Sequence, residues 1–94
     1  MAKLEDGELR LLMRDLEGWK HLRDAIHKDF TFPGFKSAIA FVNRIAEVAE
    51  KMDHHPDVDI RYTKVTCSLS THSAGGITQK DFKLAEEIDN RVIP

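Results

Sequence analysis

A two-layer α+β fold in the order α-β-β-α-β-β-α is what this 94-residue sequence predicts. Three segments repeat apolar residues at helical spacing. Four short runs alternate apolar and polar residues, and they fall in two adjacent pairs. Such pairs make hairpins, and hairpins make an antiparallel sheet. A sheet whose one face alternates apolar carries its helices on that face. The length fits a single domain spanning 1–94, and a chain this short gains stability by assembling into an oligomer.

The first helix is read from Leu9, Leu12, Met13 and Leu16, an i, i+3, i+4, i+7 stripe, with Gly18 placed to cap its end. Trp19 to Leu22 make a short strand that turns near Arg23-Asp24. Ile26, Phe30 and Phe32 then share period-two positions with Lys28, and Pro33-Gly34 breaks this second strand. The clearest helix face is Phe35, Ile39, Val42, Ile45, Ala46 and Ala49. Pro56 is expected to end that helix, because proline disfavours helical geometry in the residue before it. His54 and His55 then leave the helix end in an extended turn.

Val58, Ile60 and Tyr62 alternate with Asp59, Arg61 and Thr63, and Val65, Cys67 and Leu69 alternate with Thr66, Ser68 and Ser70. These are two strands joined by a tight reversal near Thr63-Lys64. Ser73-Ala74-Gly75-Gly76 reads as a flexible loop. Thr78-Gln79-Lys80-Asp81 resembles a capping box, and Phe82, Ala85 and Ile88 give the last helix its buried side.

Composition excludes several function classes. Apolar residues make up 41% of the chain and charged residues 32%, as in ordinary soluble domains. The net charge of −2 is spread along the chain and offers no footprint for nucleic acid or an anionic membrane. No apolar run approaches the ~20 residues of a membrane span. The start of the chain lacks the apolar core of a secretory signal. The single cysteine, Cys67, forms no internal disulfide and reads as a small core residue. The expected location is the cytoplasm.

The chemistry-bearing cluster is His54-His55-Pro56 at one helix end, with Glu50 and Asp53 just before it. Thr71-His72 and Asp81 lie beyond the second hairpin. Imidazole titrates near neutral pH, so three of them beside carboxylates suit proton transfer. Exposed loop residues and a helix stop are the plainer reading. A zinc site is the third, but consecutive extended histidines diverge, and there is no His-Glu-x-x-His or Cys-x-x-Cys. Ser70 and Thr71 sit in no nucleophile-elbow pattern and read as hydrogen-bonding groups. Trp19 reads as a core or rim residue that is also able to cover a flat heterocycle. Asp81 has its capping role and a second candidate role, holding an imidazole in one tautomer. His21 and His27 read as surface residues.

The run Ala49-Glu50-Lys51-Met52-Asp53-His54-His55-Pro56 resembles the signature of the pterin-4a-carbinolamine dehydratases. So do Tyr62, Lys64-Val65, Ser70-Thr71-His72, Gly76, Thr78 and Asp81, together with Gly18-Trp19 and Phe30-Thr31-Phe32. The resemblance implies a four-stranded antiparallel sheet with three helices on one face, in homodimers or homotetramers. It implies loss of water from 4a-hydroxytetrahydropterin to give quinonoid dihydropterin, in recycling of the tetrahydropterin used by aromatic amino-acid hydroxylases. It implies no metal, and no cofactor is expected. His54, His55 and His72 are the implied catalytic residues. Glu50, Asp53, Ser70, Thr71 and Trp19 are implied to contact the pterin, with Asp81 orienting a histidine. The chain departs from the pattern in lacking a tryptophan within Asp57-Val58-Asp59-Ile60, and in carrying Thr63 where asparagine is common. The competing expectation is a non-catalytic module that stabilises a partner protein's dimer.

Overall fold

Antiparallel pairing organises the computed structural model, which describes residues 2–93. Strands β1 (Lys20–Leu22), β2 (Ala25–Thr31), β3 (Asp57–Arg61) and β4 (Lys64–Leu69) form one sheet in the order β1-β2-β4-β3. The helices are α1 (Asp6–Met13), α2 (Phe35–Met52) and α3 (Gln79–Asp89). The chain order is therefore the expected α-β-β-α-β-β-α, with one 3-10 turn at His72–Ala74. Met1 and Pro94, the ends of the expected 1–94 domain, lie outside the described residues.

Register decides which side chains enter the core. Ile26 pairs with Leu69, Phe30 with Val65 and Lys28 with Cys67, so these residues share one face. Ile26, Val65 and Cys67 are fully buried there against Leu9, Ala38, Phe41, Ile45, Leu84, Ala85 and Ile88 from the three helices. His27, Asp29, Thr66 and Ser68 fall on the opposite face, where Thr66 donates a hydrogen bond to Asp29 at 2.7 Å. Lys28 is the exception on the inner face. Its ammonium lies over the Phe30 ring, 5.0 Å from the centroid, and reaches Asp89 at 2.9 Å, so the charge is paired at the rim.

Several local expectations are corrected. Helix α1 stops at Met13, before Gly18. Leu16 is still buried, in the turns that follow, and Gly18 (φ 85°) serves the turn closed by Trp19 N–H donating to Leu16 O. It is this positive φ that favours glycine here, since the nearest atom to a Cβ, Lys28 Cε at 2.9 Å, is the movable end of a long side chain.

The buried side of α2 is Ala38, Phe41, Ile45, Val48 and Ala49, sharing only Ile45 and Ala49 with the expected face. Apolar residues surround most of this helix. The stripe that wins contains Phe41, whose ring packs 4.8 Å from both Phe30 and Phe32. Phe35 and Ala46 stay exposed.

Pro56 does not end α2. The helix stops after Met52, where Asp53 adopts the left-handed conformation (φ 51°, ψ 43°). Asp53 N–H donates to Glu50 O and His54 N–H to Ala49 O, the double closure of a Schellman motif. Both hairpins turn on two residues with the first left-handed, Arg23 (φ 60°) and Tyr62 (φ 54°). The second reversal is thus Tyr62-Thr63, one residue earlier than expected, and Tyr62 is a turn residue. The Ser73–Gly76 segment is a tied loop: Thr71 N–H donates to Gly76 O at 2.8 Å and Ala74 N–H to Thr71 O at 3.0 Å.

Candidate functional site

The first turn of α3 supplies the centre of the site. Thr78 is its N-cap: the Thr78 hydroxyl accepts from Lys80 N–H, and Thr78 N–H donates to Asp81 Oδ2 at 2.9 Å. This is the expected capping box, which draws a carboxylate inward at the positive end of a helix. Asp81 is fully buried, so each of its oxygens needs a partner. Oδ2 also accepts from the Thr71 hydroxyl at 2.9 Å, and Oδ1 lies 2.6 Å from His54 Nε2. The cap of α3 and the residue after the Schellman stop of α2 are thereby joined through one carboxylate.

Thr71 precedes His72, and the bridge between Thr71 and Gly76 closes the loop that carries this imidazole. His72 itself is exposed. His54 and His72 are therefore linked through Asp81 and Thr71. His55 faces another way and pairs with Glu50 Oε2, one turn back on α2, with both side chains largely exposed. Consecutive histidines thus diverge, one toward a buried carboxylate and one toward an exposed one. His55 also borders a shallow apolar groove formed by Val42, Ile45, Ala46, Ala49, Pro56 and Val58.

The remaining expected site residues divide. Asp53 is exposed at the end of α2, and Ser70 is half-buried beside Thr71. Trp19 lies apart. It is buried, packs edge-on against Phe30, and donates its indole N–H to Asp89 Oδ2 at 3.1 Å. Asp89 stands eight residues along α3 from Asp81, ~12 Å at helical rise. Among the described residues, no three His, Cys, Asp or Glu side chains are grouped to hold a metal ion.

Two features escaped the sequence reading. Thr78 was legible only as a cap, although a capping carboxylate three residues on, in a chain with unplaced histidines, is a usable signal. The set formed by Trp19, Lys28 and Asp89 spans 70 residues of chain and has no local signature. Cys67 lies in the core as expected. Burial first, and the Asp89 carboxylate second, push its thiol up to about 12.

Comparison with known proteins agrees on the family. Residues 2–91 match the family model described as pterin 4 alpha carbinolamine dehydratase. A protein of Roseiflexus sp. (strain RS-1), provisionally named a pterin-4-alpha-carbinolamine dehydratase, is 54% identical over 88 residues, covering 94% of this chain and 95% of its own. One of Mycobacteroides abscessus with the same provisional name is 49% identical over 92 residues, covering 98% of each chain. A crystal structure of a transcriptional coactivator/pterin dehydratase from Brucella melitensis superposes with a TM-score of 0.91 at 36% identity, over 95% of this chain and 97% of that one. A pterin dehydratase-like RuBisCO assembly factor of the alpha-carboxysome shares the fold, with a TM-score of 0.64 at 20% identity over 78% of this chain and 84% of that one.

Proposed function

This chain belongs to the pterin 4 alpha carbinolamine dehydratase family, and from that membership we propose that it removes water from 4a-hydroxytetrahydropterin to give quinonoid dihydropterin. The observation that carries the proposal is the imidazole of His54 held by the buried Asp81, which also holds Thr71, the residue before His72. In the reaction the bond from C4a to its hydroxyl oxygen breaks, and the oxygen takes a proton and leaves as water. A ring N–H gives up its proton, and its electron pair forms the new carbon–nitrogen double bond. One proton is supplied and one removed, with no change of oxidation state. An imidazole both gives and takes protons, so a pair of them is suited to that exchange.

His54 and His72 are the acid–base pair in this reading, and His55 assists beside Glu50. Glu50, Asp53 and Ser70 are polar groups at the rim, available to ring N–H groups of a pterin. Trp19 has its indole N–H committed to Asp89, which leaves it no donor for substrate. The reaction needs neither metal nor cofactor. It belongs with tetrahydropterin recycling in the cytoplasm, beside an aromatic amino-acid hydroxylase; no helix among the described residues is long and apolar enough to cross a membrane.

We assign a homo-oligomer as the working state, supported by the shallow apolar groove between α2 and β3. The test is the dehydration rate of synthetic 4a-hydroxytetrahydropterin. Purified protein should exceed the uncatalysed rate, and His54→Ala and His72→Ala should each lose ~100-fold or more. A wild-type rate equal to the uncatalysed one sinks the proposal. It would favour the module reading, which the coactivator function named for the Brucella melitensis relative also supports. A complex with a macromolecular partner that survives changes at His54 and His72 would point the same way.

A further inference from the structure

With Asp81 as the carboxylate, the hydrogen-bond chain behind His54 has one consistent arrangement of protons. Lys80 N–H and Thr78 N–H are backbone donors, so Thr78 Oγ1 and Asp81 Oδ2 are acceptors there. The Thr71 hydroxyl has a single proton and spends it on Asp81 Oδ2. The 2.9 Å contact between the Thr71 and Thr78 hydroxyls must therefore be donated by Thr78. Asp81 Oδ2 now holds two donors, and Oδ1 faces the imidazole. As a carboxylate it accepts the His54 Nε2–H at 2.6 Å. Neutral His54 then carries its proton on Nε2 and its lone pair on Nδ1. No buried side-chain nitrogen or oxygen among the described residues lacks a partner, so Nδ1, which bonds no protein group, is open to solvent.

We infer that Nδ1 is the nitrogen of His54 that exchanges the proton, and that Thr71 and Thr78 are positioning residues which lock this tautomer. The inference rests on the dehydratase reading for its catalytic meaning, and it takes Thr71 out of the set of pterin contacts. The Thr71 hydroxyl spends its one proton on Asp81 and accepts from Thr78, and the residue is buried. The α3 cap therefore does two things at once, satisfying a helix end and orienting an acid–base group.

The lock predicts a specific failure. In Asp81→Asn the acceptor needed by Thr78 N–H must be the amide oxygen, which turns the amide NH2 toward His54. Nε2 is then forced to accept, and the imidazole proton moves to Nδ1. The test is nitrogen NMR of labelled histidine in intact protein, with kinetics on 4a-hydroxytetrahydropterin. Wild type should show His54 protonated at Nε2 when neutral, and Asp81→Asn should show it at Nδ1. The variant should keep KM within about threefold and lose kcat by at least about 100-fold, as wrong-tautomer imidazoles do. Thr71→Val should lower kcat about tenfold with KM unchanged, and Thr71→Ser should restore it. A wild-type His54 protonated at Nδ1 overturns the inference, and so does a Thr71→Val that raises KM alone. Should Asp81→Asn not fold, the wild-type spectrum and the Thr71 pair still decide. A wild type without dehydratase activity removes the proposed function but leaves the tautomer measurable.

Discussion

Cys67 and Asp81 are both fully buried ionisable residues, and they are handled in opposite ways. Asp81 is given three hydrogen-bond donors, which lets a carboxylate sit in the interior. Cys67 is given none, and burial raises its thiol from 9.0 to about 12. A raised thiol pKa keeps the folded state protonated where the unfolded chain ionises. Its contribution to stability is complete below pH 9 and is lost as pH climbs toward 12. Unfolding free energy should fall with a slope approaching ~1.4 kcal/mol per pH unit in that window, and Cys67→Ala should flatten the slope while lowering stability overall. Denaturant titrations from pH 8 to about 11 check this, and an unchanged slope in the variant would refute it. How legible each residue was follows from the range of its contacts. The meeting of His54 with Asp81 was readable in outline, because both residues stand next to helix ends that local rules locate. The partner of Trp19 was not, because Asp89 comes from the far end of the last helix and no spacing rule connects them.

The end of α2 shows where element-scale rules mislead. Pro56 is a conspicuous stop signal, yet the helix closes earlier on Asp53, in a left-handed conformation that glycine fills at less cost. An acidic side chain there also opposes the negative end of the helix dipole. Glycine at this position should stabilise the fold by about 1 kcal/mol. A residue kept against two local preferences points to use rather than to folding. Asp53→Gly should therefore raise the denaturation midpoint while increasing KM for the pterin, and an unchanged KM would remove Asp53 from the binding set. The opposite sign is expected at the other helix. Thr78→Ala removes the cap of α3 and the donor to Thr71, and should cost about 1–2 kcal/mol in denaturant unfolding. The order of elements was legible because alternation and helical periodicity are local properties. The buried side of α2 was not, since Phe35, Ile39 and Val42 form as plausible a stripe as Ala38, Phe41 and Ile45. Only the Phe30 and Phe32 rings on the sheet decide between them.

At the scale of the whole molecule, the stripe that lost the core lies partly open to solvent. Val58 and Ile60 pair with Cys67 and Val65, which places them on the core face of β3, yet each is 37% exposed. Phe35 is 52% exposed and Tyr62 73%, while Val42 and Ile39 are only partly buried. Strand β3 is an edge of the sheet, so one row of its backbone groups is also unpaired. An apolar strip continuous with an open edge suits a symmetric interface between two copies. His55 borders the same groove, between Val42 on α2 and Val58 on β3. A second copy seated there would take His55 and its partner Glu50 partly out of water, which strengthens their interaction. Assembly and activity should therefore fall together. Val58→Lys should convert the oligomer to a folded monomer in analytical ultracentrifugation, since the side chain is only partly buried. The same variant should raise KM several-fold, whereas Leu11→Lys, an exposed apolar residue on α1, should change neither property. A wild type that sediments as a monomer at about 100 μM, a concentration at which even a weak interface of micromolar Kd is occupied, would refute the interface. A monomeric Val58→Lys with unaltered kinetics would keep the interface but separate it from His55.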